Sequence, residues 1–371
     1  MTKKILLIVS AVIIALLIIL SIFFVVNYKK VVVKTNKIKT DTILPTPTPD
    51  PNKDFAIALM GYGGDAHQGG NLTDSIIVAH FIPLEKKVKL ISVPRDLWVP
   101  IPIAVGETKW LKINEAYAIG LNDKEYQNKE LQFTGPAGGG QMSKTVLSQV
   151  VGIPVENFVA LNFSGFLKTI DTLGGIDINV QKTFNDPYYP LETNINDTCG
   201  KSEDEVKTLT ATMSGDKLEQ QFTCRYEALH FDKGLQHMDS ATALKFTRSR
   251  HSLEDSGDFN RSARQKLVIE AIKKKVISLN FIPRIIPFVN TLSGNLTTDI
   301  DINQMQRLIS RAQEFQTYQI ESVPLTNQNI LMDSKSIYGQ YILIPKEGQG
   351  QWTKVHEFIN SPQSTMSATL K

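Results

Sequence analysis

Strand patterns alternate with helix patterns along most of this chain, and no other feature of the sequence constrains the fold as strongly. Short apolar or alternating runs predict strands at residues 55–60, 75–81, 87–92, 157–162, 176–180 and 340–345. Helical spacing and capping residues predict helices at residues 114–120, 139–151, 163–173, 239–246, 260–278, 302–315 and 352–359. This alternation is typical of an α/β fold with helices on both faces of a sheet, and we expect a single domain at residues 55–360.

A long apolar run precedes this domain. Residues 5–26 contain 22 residues that only Ser10 and Ser21 interrupt. At about 1.5 Å per residue, a helix of this length spans roughly 30 Å, the thickness of the hydrocarbon core of a bilayer. The run is long and lacks a small-residue cleavage site, which argues against a removed signal peptide. We therefore expect one transmembrane helix at residues 5–27, following a cytoplasmic tail at residues 1–4.

The residues on either side of the domain predict connecting or terminal segments. Residues 28–54 include four prolines that alternate with small or polar residues, a composition typical of a semi-rigid stem. Residues 361–371 predict a frayed C-terminal tail. Five lysines follow the apolar run and two precede it, so the positive-inside rule taken alone would place the large domain in the cytoplasm.

The distribution of charge argues against nucleic-acid binding. The chain has 371 residues and a formal net charge of +3. Seven of its 40 basic residues lie in residues 1–40, which contain no acid. Residues 41–371 therefore contain 33 basic and 37 acidic residues, a net charge of −4. Because an overall basic field is absent, any site for an anion must be local.

One candidate for a local anion site lies at residues 246–266, where arginines surround a short polar turn. Its candidate ligands and orienting residue are Arg248, Arg250, Asp258, Arg261, Arg264 and Gln265. The first two are two residues apart, so an extended chain would direct both to one side. The last three share one face of a helix, and the aspartate precedes them as an N-cap or first-turn acid would. Guanidinium groups fork onto phosphate oxygens, so this convergence favours an anion over the alternative of solvated surface arginines.

Three upstream segments add charged residues suited to phosphate or metal. Asp74 begins a strand beyond a glycine-rich loop, where a carboxylate suits Mg²⁺ that shares its shell with phosphate oxygens, and Asp65 in that loop is a second candidate. Arg95 and Asp96 follow a buried-type strand, where α/β folds place ligand contacts. Lys112 lies just before a predicted helix, whose N-terminus favours anions. Each residue alone also fits an ordinary turn, ion pair or solvated side chain.

In this order and combination, the segments resemble the LytR–CpsA–Psr family of membrane-anchored transferases that attach glycopolymers to the cell wall. The matching stretches include LTDSIIVA, ISVPRDLWV, KINEAYAIG, GLQHMDSATALKFTRSRH and GDFNRSARQK. The resemblance implies a three-layer α/β/α domain around a central mixed sheet. It also implies transfer of a glycopolymer from a polyprenyl-pyrophosphate carrier to a sugar hydroxyl of peptidoglycan. The expected partners are therefore this carrier, the peptidoglycan acceptor and the membrane bilayer.

Carried over motif by motif, the resemblance implies a role for each candidate residue. The pyrophosphate ligands would be Arg95, Lys112, Arg248, Arg250, Arg261, Arg264 and Gln265. The catalytic residues would be Arg95, Arg248, Arg250, Arg261 and Asp258, the last of which would orient the arginines. Asp74 would bind Mg²⁺ together with Asp65. The family usually carries Gly-x-Asp-x-Arg after its first strand, whereas Asp65 here follows Gly61-Tyr62-Gly63-Gly64, so the number of metal ions stays open.

Several alternatives stay open from the sequence. The chain is expected to be a transferase, and the alternatives are a polyprenyl-pyrophosphate hydrolase and a non-catalytic binder or regulator of lipid-linked anionic glycans. Cys199 and Cys224 lie in a polar segment and are predicted either to form a disulfide or to remain free thiols. Weighing the stem, these cysteines and the resemblance against the lysines, we expect a single-pass protein of the cell membrane with its large domain outside the cell.

Overall fold

The protein is described here by a computed structural model. It describes residues 31–34, 50–64, 70–213, 216–249, 251–252, 254, 257–278, 288–289 and 291–361. The predicted transmembrane helix, most of the stem, Asp65, Arg250 and nearly all of the C-terminal tail lie outside these residues. Within the described ranges, no helix is both long enough and apolar enough to cross a membrane.

The strands and helices follow the chain in a mixed order. The strands are β1 (Phe55–Tyr62), β2 (Thr73–Ile82), β3 (Lys87–Ser92), β4 (Trp98–Ala104), β5 (Glu107–Lys112), β6 (Asn157–Asn162), β7 (Ile176–Val180), β8 (Phe184–Pro190), β9 (Tyr226–Phe231), β10 (Gly234–Met238), β11 (Leu296–Thr298), β12 (Gln319–Pro324), β13 (Leu331–Lys335) and β14 (Tyr341–Pro345). The helices are α1 (Glu115–Leu121), α2 (Gly138–Val151), α3 (Phe163–Thr172), α4 (Glu203–Thr212), α5 (Asp216–Glu219), α6 (Ser240–Arg248), α7 (Gly257–Ser278), α8 (Ile302–Ser310), α9 (Ala312–Gln316) and α10 (Thr353–Asn360).

The chain forms two compact units. The first comprises Met1–Gly165 with Leu279–Lys371, and the second comprises Phe166–Ser278. The sequence shows no boundary inside residues 55–360, and the predicted domain limits stay a prediction. Each unit has an apolar core of its own.

The first unit is built on a six-stranded sheet in the order β11-β6-β1-β2-β3-β12. β1 pairs in parallel with β6, and β3 pairs in parallel with β12, whereas the other neighbours are antiparallel. The predicted central mixed sheet is therefore confirmed. The hairpins β4–β5 and β13–β14 form separate two-stranded sheets.

Both faces of this sheet are covered, because side chains along a strand alternate between its two faces. Ala58 on one face of β1 belongs to a large apolar cluster that includes Tyr117 of α1 and Leu147 of α2. Ile57 on the opposite face belongs to a smaller cluster with Met305 of α8. Helices thus pack on both faces of the sheet, as the alternation of patterns predicted.

Glycines bring α1 and α2 unusually close together. A Cβ atom on Gly120 of α1 would lie 2.4 Å from the carbonyl oxygen of Gly138 in α2. A Cβ atom on Gly140 would lie 2.1 Å from the ring of Phe158 in β6. The run Gly138-Gly139-Gly140 therefore lets the start of α2 contact both α1 and the sheet, which fixes α1 relative to the strands before it.

The second unit contains the hairpin β8–β9, the antiparallel pair formed by the non-consecutive strands β7 and β10, and α3, α6 and α7 around a separate core. Three phenylalanines form the centre of this core. The ring of Phe184 lies 5.0 Å from that of Phe231 and 6.0 Å from that of Phe246, and the last two rings are 5.3 Å apart. Phe184 comes from β8, Phe231 from β9 and Phe246 from α6, so the three rings join the hairpin to the helix.

A long connection between β8 and β9 contains α4 and α5. Cys199 and Cys224 form a disulfide within it, which settles the alternative that the sequence left open. Ser202 caps α4, and Glu205 returns the bond as in a capping box. No residue of α4 is buried.

Some predicted boundaries are wrong. The helix predicted at residues 302–315 is two helices, α8 and α9, separated at Arg311. No strand was predicted at residues 296–298, where β11 pairs with β6. The remaining strands that the sequence did not predict are β4, β5, β8, β9, β10, β12 and β13.

Candidate functional site

Four charged residues of the first unit form a chain of alternating sign. Nη1 of Arg95 lies 2.5 Å from Oδ1 of Asp74, and Nε of Arg95 lies 3.6 Å from Oδ2 of Asp96. Nζ of Lys112 lies 2.6 Å from Oδ1 of the same Asp96. The structure thus brings together three sequence-predicted site residues, Asp74, Arg95 and Lys112, and joins them through Asp96.

Backbone pairing explains why these residues meet. Asp74 is the second residue of β2, the Arg95–Asp96 pair lies in the turn between β3 and β4, and Lys112 ends β5. The amide N–H of Ile113 donates to the carbonyl oxygen of Leu97, which ties the end of β5 to that turn. The amide N–H of Leu343 donates to the carbonyl oxygen of Asp96. Each charged side chain therefore projects from a fixed backbone and needs little ordering to bind a ligand.

The two cations of this chain remain accessible to solvent. Arg95 has 36% of its side chain exposed, and Lys112 has 25%. Within the described part of the chain, the ammonium group of Lys112 has one acceptor, Asp96, and an ammonium group carries three N–H donors. Lys112 can therefore bind an anion while it keeps its contact with Asp96.

The carboxylate of Asp74 fits a hard cation. Its Oδ1 accepts from Arg95, whereas Oδ2 has no hydrogen-bond partner among the residues that the structure covers. Asp74 also has 41% of its side chain exposed, so water can complete a metal shell there. Mg²⁺ usually binds one or two carboxylates and keeps several waters, and the exposed carboxylate of Asp74 fits this coordination. Asp65, the second predicted ligand, lies outside the described residues.

The acidic side chain at the start of α1 adds to this local arrangement. Oε1 of Glu115 accepts from the backbone N–H of Lys112 at 3.2 Å. An acid in the first turn of a helix is favoured by the helix dipole. The prediction that Lys112 lies just before a helix is confirmed, since this helix begins three residues later at Glu115. Glu115 already occupies part of the N-terminal end of that helix.

In the second unit, Arg248 ends α6. The extended conformation predicted for Arg248 and Arg250 is therefore wrong for Arg248, and Arg250 lies outside the described residues. Nη1 of Arg248 donates to the hydroxyl of Tyr189 at 3.3 Å, and its guanidinium lies 5.6 Å from the centre of the same ring. Tyr189 of β8 thus sets the direction of this arginine.

The side chain of Arg264 is buried in the second unit and bonds to its backbone. It is 2% exposed. Its Nε donates to the carbonyl oxygen of Phe246 at 3.1 Å, and its Nη2 donates to that of Ser249 at 2.6 Å. These carbonyls lie at the C-terminal end of α6, so Arg264 caps that helix, a common position for a cation.

The other predicted residues of this segment lie on α7. Arg261 is 9% exposed, and Gln265 is partly exposed one turn later. The prediction that Arg261, Arg264 and Gln265 share a helix is confirmed. Asp258 is the second residue of α7, as predicted for a first-turn acid, and its side chain lies outside the described part of the structure.

One buried acid near Arg248 was not predicted from the sequence. Asp186 of β8 is fully buried, and its Oδ2 accepts from the hydroxyl of Ser249 at 2.6 Å and from the backbone N–H of His251 at 3.2 Å. The only signal in the sequence is an aspartate next to a proline inside the run FNDPYYP, a pattern that ordinarily indicates a turn.

Solved structures resemble this fold. A crystal structure of Bacillus subtilis TagV matches with a TM-score of 0.53 and 24% identity, over 84% of this chain and 100% of that chain. At this identity, the likeness concerns the fold alone.

The chain is also similar in sequence to teichoic acid transferases. The Enterococcus faecalis polyisoprenyl-teichoic acid–peptidoglycan teichoic acid transferase TagU is 26% identical over 256 residues, which cover 68% of this chain and 64% of that protein. The Bacillus subtilis transferase TagV of the same description is 26% identical over 288 residues, which cover 77% of this chain and 60% of that protein. This chain therefore spans less than two thirds of the length of these relatives. The profile of the LytR_cpsA_psr family matches residues 21–351, and the chain belongs to this family.

Proposed function

We propose that this protein transfers a glycopolymer from a polyprenyl-pyrophosphate carrier to a sugar hydroxyl of peptidoglycan. Membership of the family and the descriptions of two relatives support this reaction class. The observation that carries the proposal is the alternating arrangement of Asp74, Arg95, Asp96 and Lys112, in which two cations are held in place by acids and stay accessible to an anion.

The chemistry of a pyrophosphate suits this arrangement. Phosphoryl transfer depends mainly on positioning and on neutralising charge that spreads over the phosphate oxygens in the transition state. Arg95 forks onto two oxygens, whereas Lys112 supplies a compact charge. Asp74 and Asp96 hold both cations before substrate arrives, so little reorganisation is needed during the reaction.

The bond changes balance without any further reactant. The acceptor hydroxyl attacks the phosphorus that carries the sugar polymer, and a new P–O bond forms. The bond from this phosphorus to the bridging oxygen breaks, and polyprenyl phosphate leaves. The hydroxyl proton passes to a carboxylate, for which Asp96 and Asp258 are the candidates. The product is a phosphodiester between the polymer and peptidoglycan.

We also propose that Asp74, with Asp65, holds Mg²⁺. The second carboxylate oxygen of Asp74 and its exposure support this assignment. When bound, the ion would neutralise phosphate charge alongside Arg95 and Lys112.

For the second unit, we propose that Arg248, Arg250, Arg261 and Gln265 bind phosphate oxygens, as the resemblance implies. Arg264 is assigned differently. Its buried guanidinium donates to two backbone carbonyls, which supports a positioning role in place of the phosphate contact expected from the sequence.

The reaction requires an external domain, because peptidoglycan lies outside the cell membrane. We propose that residues 5–27 anchor the chain and that the large domain is extracellular. The disulfide between Cys199 and Cys224 supports an oxidising compartment. The location of peptidoglycan and the disulfide are together a stronger argument than the lysines after the apolar run, which taken alone favour the opposite orientation.

The test is an assay of the full chain in detergent with a labelled polymer on a polyprenyl-pyrophosphate carrier. Addition of peptidoglycan should release polyprenyl phosphate and move the label onto the acceptor. Release of the lipid phosphate at the same rate with water as the only acceptor would identify a hydrolase. Tight binding of the carrier without turnover, in the presence of Mg²⁺ and acceptor, would identify a binding or regulatory protein.

A further inference from the structure

The residue that follows Arg248 is held from two sides by buried charged groups. Ser249 is fully buried. Its hydroxyl donates to Oδ2 of Asp186 at 2.6 Å, and its carbonyl oxygen accepts from Nη2 of Arg264 at 2.6 Å. The carboxylate of Asp186 on β8 and the guanidinium of Arg264 on α7 therefore both hydrogen-bond to Ser249, through different atoms.

The burial of Asp186 is unfavourable unless its oxygens are bonded. It is 0% exposed, and in addition to the Ser249 hydroxyl it accepts from the backbone N–H groups of His251 at 3.2 Å and Tyr188 at 3.1 Å. Two of these three donors belong to the segment directly after Arg248. The bonds from Ser249 and His251 to this carboxylate therefore depend on the conformation of that segment.

The irregular pairing of β8 directs two side chains to the end of α6. The register of β8 against β9 shifts between Asp186 and Tyr189. Such bulges change the direction of side chains and are common beside functional sites. On one side of the shift Asp186 bonds to Ser249, and on the other side the hydroxyl of Tyr189 accepts from Nη1 of Arg248 at 3.3 Å.

The second group, Arg264, fixes the end of the helix itself. Its Nε donates to the carbonyl oxygen of Phe246, two residues before Arg248, and its Nη2 reaches Ser249, one residue after. Arg248 therefore lies between two backbone positions that one buried guanidinium holds. Loss of either carbonyl contact would free the last turn of α6 to fray.

We propose that Asp186 and Arg264 are positioning residues that fix Arg248 for phosphate binding, Asp186 through the hydroxyl of Ser249 and Arg264 through its carbonyl oxygen. The inference rests on the proposed function, in which Arg248 is a phosphate ligand. A role in folding alone would equally use the buried pair, but it predicts no dependence on Arg248. Coupling to Arg248 is therefore the quantity to measure.

The experiment is a double-mutant cycle on the full chain in detergent. Ser249→Ala removes the hydroxyl that donates to Asp186. We expect turnover to fall about tenfold to hundredfold, because small misplacements of a binding group have effects of this size. In an Arg248→Ala background the same change should have almost no further effect, since residues that act as a unit are not additive. Thermal unfolding shows whether each variant is folded.

The matched control is Ser252→Ala. Ser252 is 1% exposed and lies in the same segment, and its hydroxyl donates to Oε2 of Glu254 at 3.3 Å. We expect its effect to be small and to be the same with or without Arg248. If Ser249→Ala does not fold, Asp186→Asn enters the same cycle, because it keeps the shape of the side chain and removes its charge.

The outcomes separate the inference from the proposed function. If Ser249→Ala and Asp186→Asn lower turnover equally in both backgrounds, the positioning role is wrong and the transferase proposal stands. If the wild type shows no turnover, the affinity for geranylgeranyl pyrophosphate is measured in place of turnover for each variant of the cycle. A wild type that neither binds this probe nor turns over substrate would overturn both proposals.

Discussion

The ammonium group of Lys112 donates to Oδ1 of Asp96 at 2.6 Å, which joins the end of β5 to the turn after β3. This contact holds the lysine beside Arg95 and leaves a quarter of its side chain exposed. We expect Lys112→Gln to lower turnover by about 10²-fold, the usual loss when one preorganised donor to a developing charge is removed. The measurement is release of polyprenyl phosphate by the full chain.

The control for this variant is Lys109→Gln. Lys109 lies on the same strand, is exposed, and is three residues away from Lys112. Its removal changes the net charge by the same amount, so it reports any general electrostatic effect. Equal losses in the two variants would mean that Lys112 has no local role.

Removal of the proposed metal ligand gives a second prediction. Asp74→Asn keeps an oxygen that can accept from Arg95 but removes the negative charge that favours Mg²⁺. We expect calorimetric titration in the presence of inorganic pyrophosphate to show Mg²⁺ binding to the wild-type chain and much weaker binding to the variant. Glu85→Gln is the control, since Glu85 is also an exposed acid paired with a cation, Lys87. Identical Mg²⁺ titrations for Asp74→Asn and the wild type would remove Asp74 from the site.

Arg248 tests whether a forked donor is needed in the second unit. Arg248→Lys preserves the charge but cannot place two parallel N–H groups on phosphate oxygens. We expect this variant to lose most of its turnover and to unfold at a similar temperature. Arg307→Lys on the exposed face of α8 should behave like the wild type. Activity near the wild-type level in Arg248→Lys would contradict bidentate binding.

The central strands could be predicted because burial imposes a clear pattern on them. Within β1, Ala56, Ala58 and Met60 face one apolar cluster, and the sequence shows this as a continuous apolar run. By contrast, β8 contains two prolines and an aspartate in seven residues, and its partner β9 alternates only weakly. Two-stranded hairpins with exposed faces and a bulge lack the signals that identify a central strand.

The same distinction applies to the site. Charged residues at strand ends and helix starts are visible in the sequence, and the structure brings Asp74, Arg95 and Lys112 into one network. The role of Asp186 is set by residues more than sixty positions later, Ser249 and His251, so no local pattern reveals it. Helical spacing correctly placed Arg264 on α7, but only tertiary packing shows that its guanidinium caps α6.

The close approach of α1 and α2 predicts the sign of a stability change. Helix propensity alone would make Gly120→Ala stabilising by about 1 kcal/mol. The added Cβ would instead lie 2.4 Å from the carbonyl oxygen of Gly138, a backbone atom that cannot move away easily. We expect a net loss of about 1–3 kcal/mol in the free energy of unfolding, as for other overpacked cores. Chemical denaturation measures this change, and a variant more stable than the wild type would contradict the tight contact.

Burial lowers the pKa of His80 below its ordinary value of 6.5, since the charged imidazolium is poorly solvated there. Asp54, whose Oδ2 lies 3.4 Å from Nε2, and Glu156 act in the opposite direction, whereas Lys89 lowers this pKa further. The unfolded chain therefore binds a proton at His80 more readily than the folded chain does. This contribution to stability is fully present above the unfolded pKa and is lost as the pH falls through 6.5 towards the lower folded pKa.

Replacement of this imidazole should flatten the dependence of stability on pH in that window. We expect the unfolding temperature of the wild type to fall between about pH 8 and about pH 5, and that of His80→Gln to fall less. His237→Gln is the comparison variant, because it removes an imidazole whose side chain is 58% exposed. Parallel profiles for His80→Gln and the wild type would show that His80 is protonated equally in the folded and unfolded chains, which its burial at 7% exposure argues against.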